Sequence, residues 1–273
     1  MKPATEQDYH ERIVRTLVHI QQHLDDDLTL ESLASVAAFS NFHFHRIFRA
    51  LTGEAPHEHV RRLRLERAAR NLKQSAEPVI ETAFAAGFET HESFTRSFRD
   101  MFGTSPSAYR GAHTGDADIP PVEVTVKELP PMRIVFLRHV GPYSAVGATW
   151  GRLMAWAGMR GLLGPGMKLI GIVHDDPDVT PPDKVRYDAA VTVNRPIQPE
   201  GEFGVMELAG GAYAVITHKG PYEELGKTYQ QIYGGWLPTS GRQLRDVPAF
   251  EQYLNSPQNT KPEDLLTLIH VPV

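Results

Sequence analysis

The sequence predicts a multi-domain chain, with an all-α double helix-turn-helix at the N-terminus and an α+β domain of two strand-helix-strand-strand repeats behind it. Three observations predict this. Apolar residues recur at three- and four-residue spacing up to about residue 112, and β-branched alternating segments such as Val122–Val126 and Arg133–Leu137 appear after residue 121. Each half also repeats itself, at its own offset. Between the halves, GAHTGDADIPP is rich in Gly, Asp and Pro and reads as a linker. The boundaries expected are therefore 1–112, a linker over 113–121, and 122–273.

In the first half, Ala34, Ala37 and Phe39 match Ala83, Ala86 and Phe88 at an offset of 49. Phe44, Arg46, Phe48, Arg49, Gly53 and Pro56 match Phe94, Arg96, Phe98, Arg99, Gly103 and Pro106 at an offset of 50. Each copy reads as helix, tight turn, helix. Ser40 and Thr90 are natural N-caps for the second helix of each pair. Gly87 suits the turn of the second copy, and Gly53 and Gly103 suit helix stops before Pro56 and Pro106. Phe44/Phe48 and Phe94/Phe98 lie one turn apart and face the core. That rotation leaves polar side chains near the N-terminal end of each helix, as a recognition helix entering the major groove requires. A basic helix over about 56–74 joins the copies.

Composition narrows the class. Hydrophobic residues make up 41% and charged residues 22%, the balance of a soluble globular chain. There is no apolar run long enough for a membrane span, and MKPATEQDYHERIV is too polar for a signal peptide, so a cytoplasmic location with no membrane partner is expected. The chain has no cysteine, which excludes disulfides, thiolate zinc sites and cysteine nucleophiles. The net charge of −5 does not advertise a nucleic-acid binder. Phosphate is met by a local surface, however, and the stretch from Arg46 to Lys73 is locally basic. His43/His45 and His57/His59 stand two apart on helices, a poor chelating geometry, and no metal site or cofactor is expected.

Residues 8–112 resemble the DNA-binding domain of the AraC/XylS family of transcription regulators. The motifs that carry this are LTLESLASVAAFSNFHFHRIFRALTGEAPHEHVRRLRLERAARNL and VIETAFAAGFETHESFTRSFRDMFGTSPSAYR. The resemblance implies two recognition helices in successive major grooves of double-stranded DNA, with RNA polymerase as a further partner. Carried across position by position, the first reader uses Asn41, Phe42, His45 and Arg46, and the second His91, Glu92, Thr95 and Arg96. Arg46 and Arg96 suit bidentate pairing with guanine or a phosphate contact.

The second half repeats at an offset of 79. His139-Val-Gly-Pro-Tyr143 matches His218-Lys-Gly-Pro-Tyr222, and Gly147, Thr149 and Trp150 match Gly226, Thr228 and Tyr229. Each copy reads as a strand ending in Gly-Pro-Tyr, an amphipathic helix, and further strands, at about 168–174 and 186–194 in the first copy and about 264–271 at the end of the second. Two such units about a pseudo-twofold make one curved sheet with helices on one side. The expected ligand cleft lies on the other side, where the copies meet.

This half resembles the GyrI-like effector-binding domains, through RHVGPYSAVGATW, RYDAAVTV, GGWLPTSG and LTLIHVPV. The resemblance implies a pocket for bulky small-molecule effectors, often aromatic or cationic. Candidate lining residues are Phe136, Trp150, Tyr187, Trp236, Leu268 and His270. The acidic residue of the family, two before an aromatic in the last strand, falls on Leu268 in this chain. A neutral or anionic apolar effector is therefore expected, with His270 as a switchable donor or acceptor. A register shift would instead bring in Glu263 or Asp264. The chain thus reads as a regulator and not as an enzyme. The alternative is a GyrI-like domain that hydrolyses or sequesters xenobiotics.

Overall fold

The computed structural model describes residues 3–74, 77–113 and 120–273. The linker expected over 113–121 falls mostly on residues 114–119, outside the described residues. The chain divides into two compact units, one made chiefly of residues up to 116 and the other of the remainder.

The first unit is helical: α1 (Pro3–Gln22), α2 (Leu30–Val36), α3 (Asn41–Thr52), α4 (Pro56–Gln74), α5 (Val79–Ala85), α6 (His91–Phe102) and α7 (Pro106–His113). Local chemistry sets the ends of α3 and α6. The Ser40 hydroxyl accepts from the His43 amide and the Thr90 hydroxyl from the Ser93 amide, each satisfying an otherwise orphaned donor. Gly53 and Gly103 close the same helices at φ of 79° and 71°, left-handed values that cost glycine nothing. Phe44 and Phe48 are fully buried with Ile13, Ile20, Leu33, Val60 and Leu63, so α4 helps to close the first core. Phe94 and Phe98 pack in a chain of tilted and edge-on rings with Phe102 and Tyr109 in the second.

The second unit holds β1 (Thr125–Leu129), β2 (Met132–Val140), α8 (Val146–Met159), β3 (Leu169–Val173), β4 (Arg186–Thr192), β5 (Phe203–Leu208), β6 (Gly211–Lys219), α9 (Leu225–Gln230), β7 (Ala249–Tyr253) and β8 (Leu266–Pro272). A π-helical turn, Gln231–Trp236, follows α9 directly. The strands form one sheet in the order β1-β6-β8-β7-β3-β4-β2-β5. Each repeat therefore contributes three adjacent strands, and its leading strand, β1 or β5, crosses to the edge of the other repeat. The predicted strand-helix-strand-strand unit is present twice, each with this additional strand in front.

The repeats meet along β3 and β7, which run antiparallel with Gly171 opposite Glu251. From β3 and β4 onward the repeats are related by an offset of 80, so these two residues are equivalent positions paired with each other on the pseudo-twofold. Paired residues of an antiparallel sheet share a face, and neighbours along a strand alternate. Gly171 lies opposite Ala189 as well as Glu251, which places Tyr187, Ala189, Gly171, Glu251 and Tyr253 on one face. Trp150 on α8 bonds Tyr187, and Tyr229 on α9 bonds Glu251, so that face carries both helices.

Candidate DNA interface and effector site

On α3, Asn41, Phe42 and Arg46 are exposed and His45 is half-buried, because burial of Phe44 and Phe48 turns the intervening positions outward. Phe42 is 61% exposed, unusual for a ring of its size. The Arg46 guanidinium lies over that ring, 4.1 Å from its centroid. This cation–π contact pre-orders an otherwise flexible arginine without using any of its donors. On α6, His91, Glu92 and Arg96 are exposed, and with Thr95, Arg99 and Asp100 they line a shallow open groove. Each predicted reader set is thus gathered on a single helix.

The basic stretch of α4 is not a free cationic face. Arg62 donates to both Glu54 (2.7 Å) and Glu66 (3.0 Å). Arg61 bonds the Ser97 hydroxyl of α6, and Arg64 and Arg67 reach backbone carbonyls on other elements. These guanidinium groups find acceptors within the fold, and sequence alone shows only their charge. His59 and Arg62 hold the Glu54 carboxyl down at about 2, against the opposing cost of burial.

In the second unit, the repeated His-x-Gly-Pro-Tyr motif builds the same joint twice. His139 Nε2 faces the Pro142 carbonyl (3.1 Å) and its Nδ1 faces the Thr149 hydroxyl (3.3 Å). His218 does the same with Pro221 (3.2 Å) and Thr228 (2.8 Å). A carbonyl only accepts, so Nε2 carries the proton and Nδ1 accepts from the threonine on the following helix. The motif therefore ties each strand end to its helix. It also delivers Tyr143 and Tyr222 to the helix-bearing face. The ring of Tyr143 meets that of Tyr187, with centroids 6.0 Å apart, and Tyr222 meets Tyr253 at 5.3 Å.

At the centre of that face lies the buried carboxylate of Glu251, pushed up from its ordinary value by burial. Tyr229 donates to one oxygen (3.1 Å) and Tyr253 to the other. Tyr253 has spent its only proton there, so it accepts from the Tyr187 hydroxyl at 2.9 Å. Tyr187 in turn accepts from the Trp150 indole N–H at 3.2 Å. A one-way chain of donors thus runs from α8 across the pseudo-twofold to Glu251. Gly171 makes room for it: a Cβ at that position would stand 2.3 Å from the Tyr187 hydroxyl oxygen and 2.6 Å from that of Tyr253.

These placements differ from the sequence expectations in where the acidic group stands. The acidic centre lies on the face that carries the helices, between the two repeats, rather than on the face without them. Of the predicted lining residues, Trp150 and Tyr187 are hydrogen-bonded into it. Trp236 packs against the same second-repeat core as Tyr222 and Tyr229, without a hydrogen bond to the acidic centre among the described residues. Phe136, Leu268 and His270 point from the opposite face, by strand alternation from their partners Ala190, Gln252 and Phe250. Side chains on that face bond and stack with one another. Phe250 stacks on His270 at 4.2 Å, and Arg138, His174 and Asp188 form a buried network with His174–Asp188 and Arg138–Asp188 contacts of 2.7 Å. Burial lowers His270 to about 4, so it is no switch near neutral pH.

Sequence reasoning missed Glu251, Tyr253, Tyr143, Tyr222 and Tyr229. The signal was present in Phe250-Glu251-Gln252-Tyr253, an acid two residues before an aromatic. It stands in the penultimate strand and not the last one.

A family model described as a GyrI-like small molecule binding domain matches residues 122–273. A second, described as a helix-turn-helix domain, matches residues 33–112. The chain is 25% identical to the transcriptional regulator Rob of Salmonella typhimurium, over 91% of both chains. It is 29% identical to the probable transcriptional regulator YgiV of Escherichia coli, over 56% of this chain and 96% of that one. Among solved structures, the EcmrR C-terminal domain is similar at 20% identity and a TM-score of 0.45, covering 55% of this chain and 96% of that one. No helix among the described residues is long and apolar enough to cross a membrane.

Proposed function

From a chain that belongs to the family of GyrI-like small-molecule-binding domains, with a helix-turn-helix domain ahead of that region, we infer a DNA-binding transcription regulator controlled by a small effector. It acts in the cytoplasm, at promoters served by RNA polymerase, as its relatives named as transcriptional regulators suggest. The readers are α3 and α6. Arg46 and Arg96 make the base or phosphate contacts that matter most, flanked by Asn41, Phe42, His45, His91, Glu92 and Thr95.

The effector is a lipophilic aromatic cation. The observation that carries this is Glu251, a buried carboxyl bonded by Tyr229 and Tyr253 with Tyr187 and Trp150 behind them, and with no arginine or lysine among its hydrogen-bond partners in the described residues. An anion so placed is costly unless a cation joins it, and aromatic faces add attraction to that cation. This reverses the neutral or anionic effector expected from Leu268. The hydrolytic alternative regains a carboxylate in Glu251. Both of its oxygens, however, already accept a tyrosyl proton, an arrangement suited to a fixed charge more than to a base that must take a proton from water.

Titration calorimetry of the full chain with a quaternary-ammonium aromatic and its neutral carbon isostere tests the reading. Because each kcal/mol of charge–charge attraction is several-fold in affinity, the cation is expected to bind at least ~10-fold tighter. Equal binding of the two overturns it.

A further inference from the structure

The repeat in the helical unit extends beyond the helix pairs, to the helix that precedes each of them. In the first copy, α1 sends Arg12 to the Ala38 carbonyl (2.9 Å) and Arg15 to the Val36 carbonyl (3.1 Å), clasping the turn between α2 and α3. In the second copy α4 takes the place of α1. Arg67 donates to the Ala85 carbonyl (3.1 Å), and Ala85 is the repeat mate of Val36. Arg64 lies against Gly87, the mate of Ala38; a Cβ there would stand 2.8 Å from a guanidinium nitrogen. Both clasps are arginine pairs three residues apart, on one helix face.

They differ in what else they hold. Arg64 also donates to the carbonyls of Leu24 (3.0 Å) and Asp26 (2.7 Å), and Arg67 also pairs with the Asp25 carboxylate. Residues 24–26 form the loop from α1 to α2 and belong to the first reader. One pair of side chains on α4 therefore grips the loop of one reader and the turn of the other. A guanidinium fork fixes the direction of several donors at once, so the grip sets an angle as well as a distance.

We propose that Arg64 and Arg67 set the separation and angle of the two recognition helices, and so determine which spacing of half-sites the protein accepts. This rests on α3 and α6 as the DNA readers. Moving a half-site by one base pair shifts it about 3.4 Å and turns it roughly 35°, since a turn of the duplex holds 10–10.5 base pairs. A rigid pair of readers cannot follow that change, and a loosened pair can.

Selection from a random duplex library with the full-length protein yields its bipartite site. Binding is then measured on that site, on versions respaced by one base pair either way, and on an isolated half-site. The wild type is expected to lose at least ~30-fold on each respaced duplex, within the range of lost base contacts. Arg64→Gln with Arg67→Gln is expected to lose less than ~5-fold, while keeping its half-site affinity within ~2-fold. Arg12→Gln with Arg15→Gln weakens a clasp confined to one reader and should retain the wild-type spacing penalty. A folded double variant at 64 and 67 that keeps the wild-type penalty overturns the proposal. If that variant melts below the assay temperature, Arg64→Lys, which keeps the charge without the fork, carries the same expectation at smaller size. A wild type that selects no bipartite sequence overturns the reader assignment itself, a separate result.

Discussion

Gly171 and Glu251 occupy the same position in the two copies of the C-terminal repeat, and the central strands pair them directly with each other. A symmetric duplication would put two identical side chains on the axis. Two carboxylates there would repel, and two glycines would leave the tyrosines around them without an anion to donate to. The chain has one of each, so a single carboxyl sits near the centre and the glycine clears the path by which Tyr187 and Tyr253 reach it.

Gly171→Ala tests that clearance. The added methyl meets two tyrosyl oxygens whose positions are held by hydrogen bonds, so the expected loss is about 1–3 kcal/mol, as for overpacked interiors. Urea unfolding checks the stability. Calorimetry with the aromatic cation should show weaker binding as the donor chain is broken.

Effector binding should depend on pH through Glu251. Burial raises its folded pKa above the unfolded value, so the folded chain holds this proton more tightly. Its contribution to stability is greatest below the ordinary carboxylate pKa and falls as pH rises toward the raised value. Cation affinity follows the opposite course, rising as the carboxylate ionises. Titrations across this range should show that rise, and Glu251→Gln should flatten it with a loss of about 2–5 kcal/mol in binding at neutral pH.

Acid should unfold the protein from other sites. Arg186 holds the Asp175 carboxyl at about 2, and Arg138 and His174 hold that of Asp188 well below its usual range, each against the cost of burial. Lowered folded values contribute stability above the unfolded pKa that is lost as pH falls toward the folded one. Thermal melts should therefore drop between about pH 4 and about pH 2, and the drop should shrink in a folded Asp188→Asn variant.

The two helix-turn-helix turns should respond oppositely to one exchange. Ala38 is held at φ 52° where its repeat mate Gly87 has φ 75°. Ala38→Gly relieves a left-handed alanine and should stabilise by up to about 1 kcal/mol, offset in part by unfolded-chain entropy. Gly87→Ala should destabilise by more than about 1 kcal/mol, because it adds the same strain and also displaces the Arg64 guanidinium. Differential scanning calorimetry of both variants decides the signs.

At the DNA face, Arg46→Ala and Arg96→Ala should each cost about 1–3 kcal/mol of specific binding. Phe42→Ala should cost less and act partly through Arg46, which it leaves unstacked. A double-mutant cycle of Phe42 and Arg46, read by fluorescence anisotropy on the selected site, should show coupling. Independent effects would remove the stacked pair as a unit of recognition.

Much of the framework was legible because it follows from local rules. Ser40 and Thr90 as caps, Gly53 and Gly103 as stops, and the buried phenylalanine pairs all depend on residues within a turn or two of each other. The strands β2, β3 and β4 were found because their hydrophobic patterning survives in the chain. β7 was not. Its five residues follow a proline and place an ionisable Glu251 at an inward position, which breaks the alternation that marks a strand.

By itself the sequence determined the two halves, their duplications, the outward faces of α3 and α6 and the strand-to-helix joint at each Gly-Pro-Tyr. The tertiary structure alone decided which face of the sheet holds the acidic centre and which arginines are spent inside the fold. It also placed a buried carboxyl, Glu251, one strand before the last. The physical reason is range. Caps, turns and amphipathic faces are set by neighbours in sequence, whereas the Gly171–Glu251 pair, the Trp150-to-Glu251 chain and the Arg64–Arg67 clamp join residues separated by tens of positions, and come together only when sheet pairing and helix packing are complete.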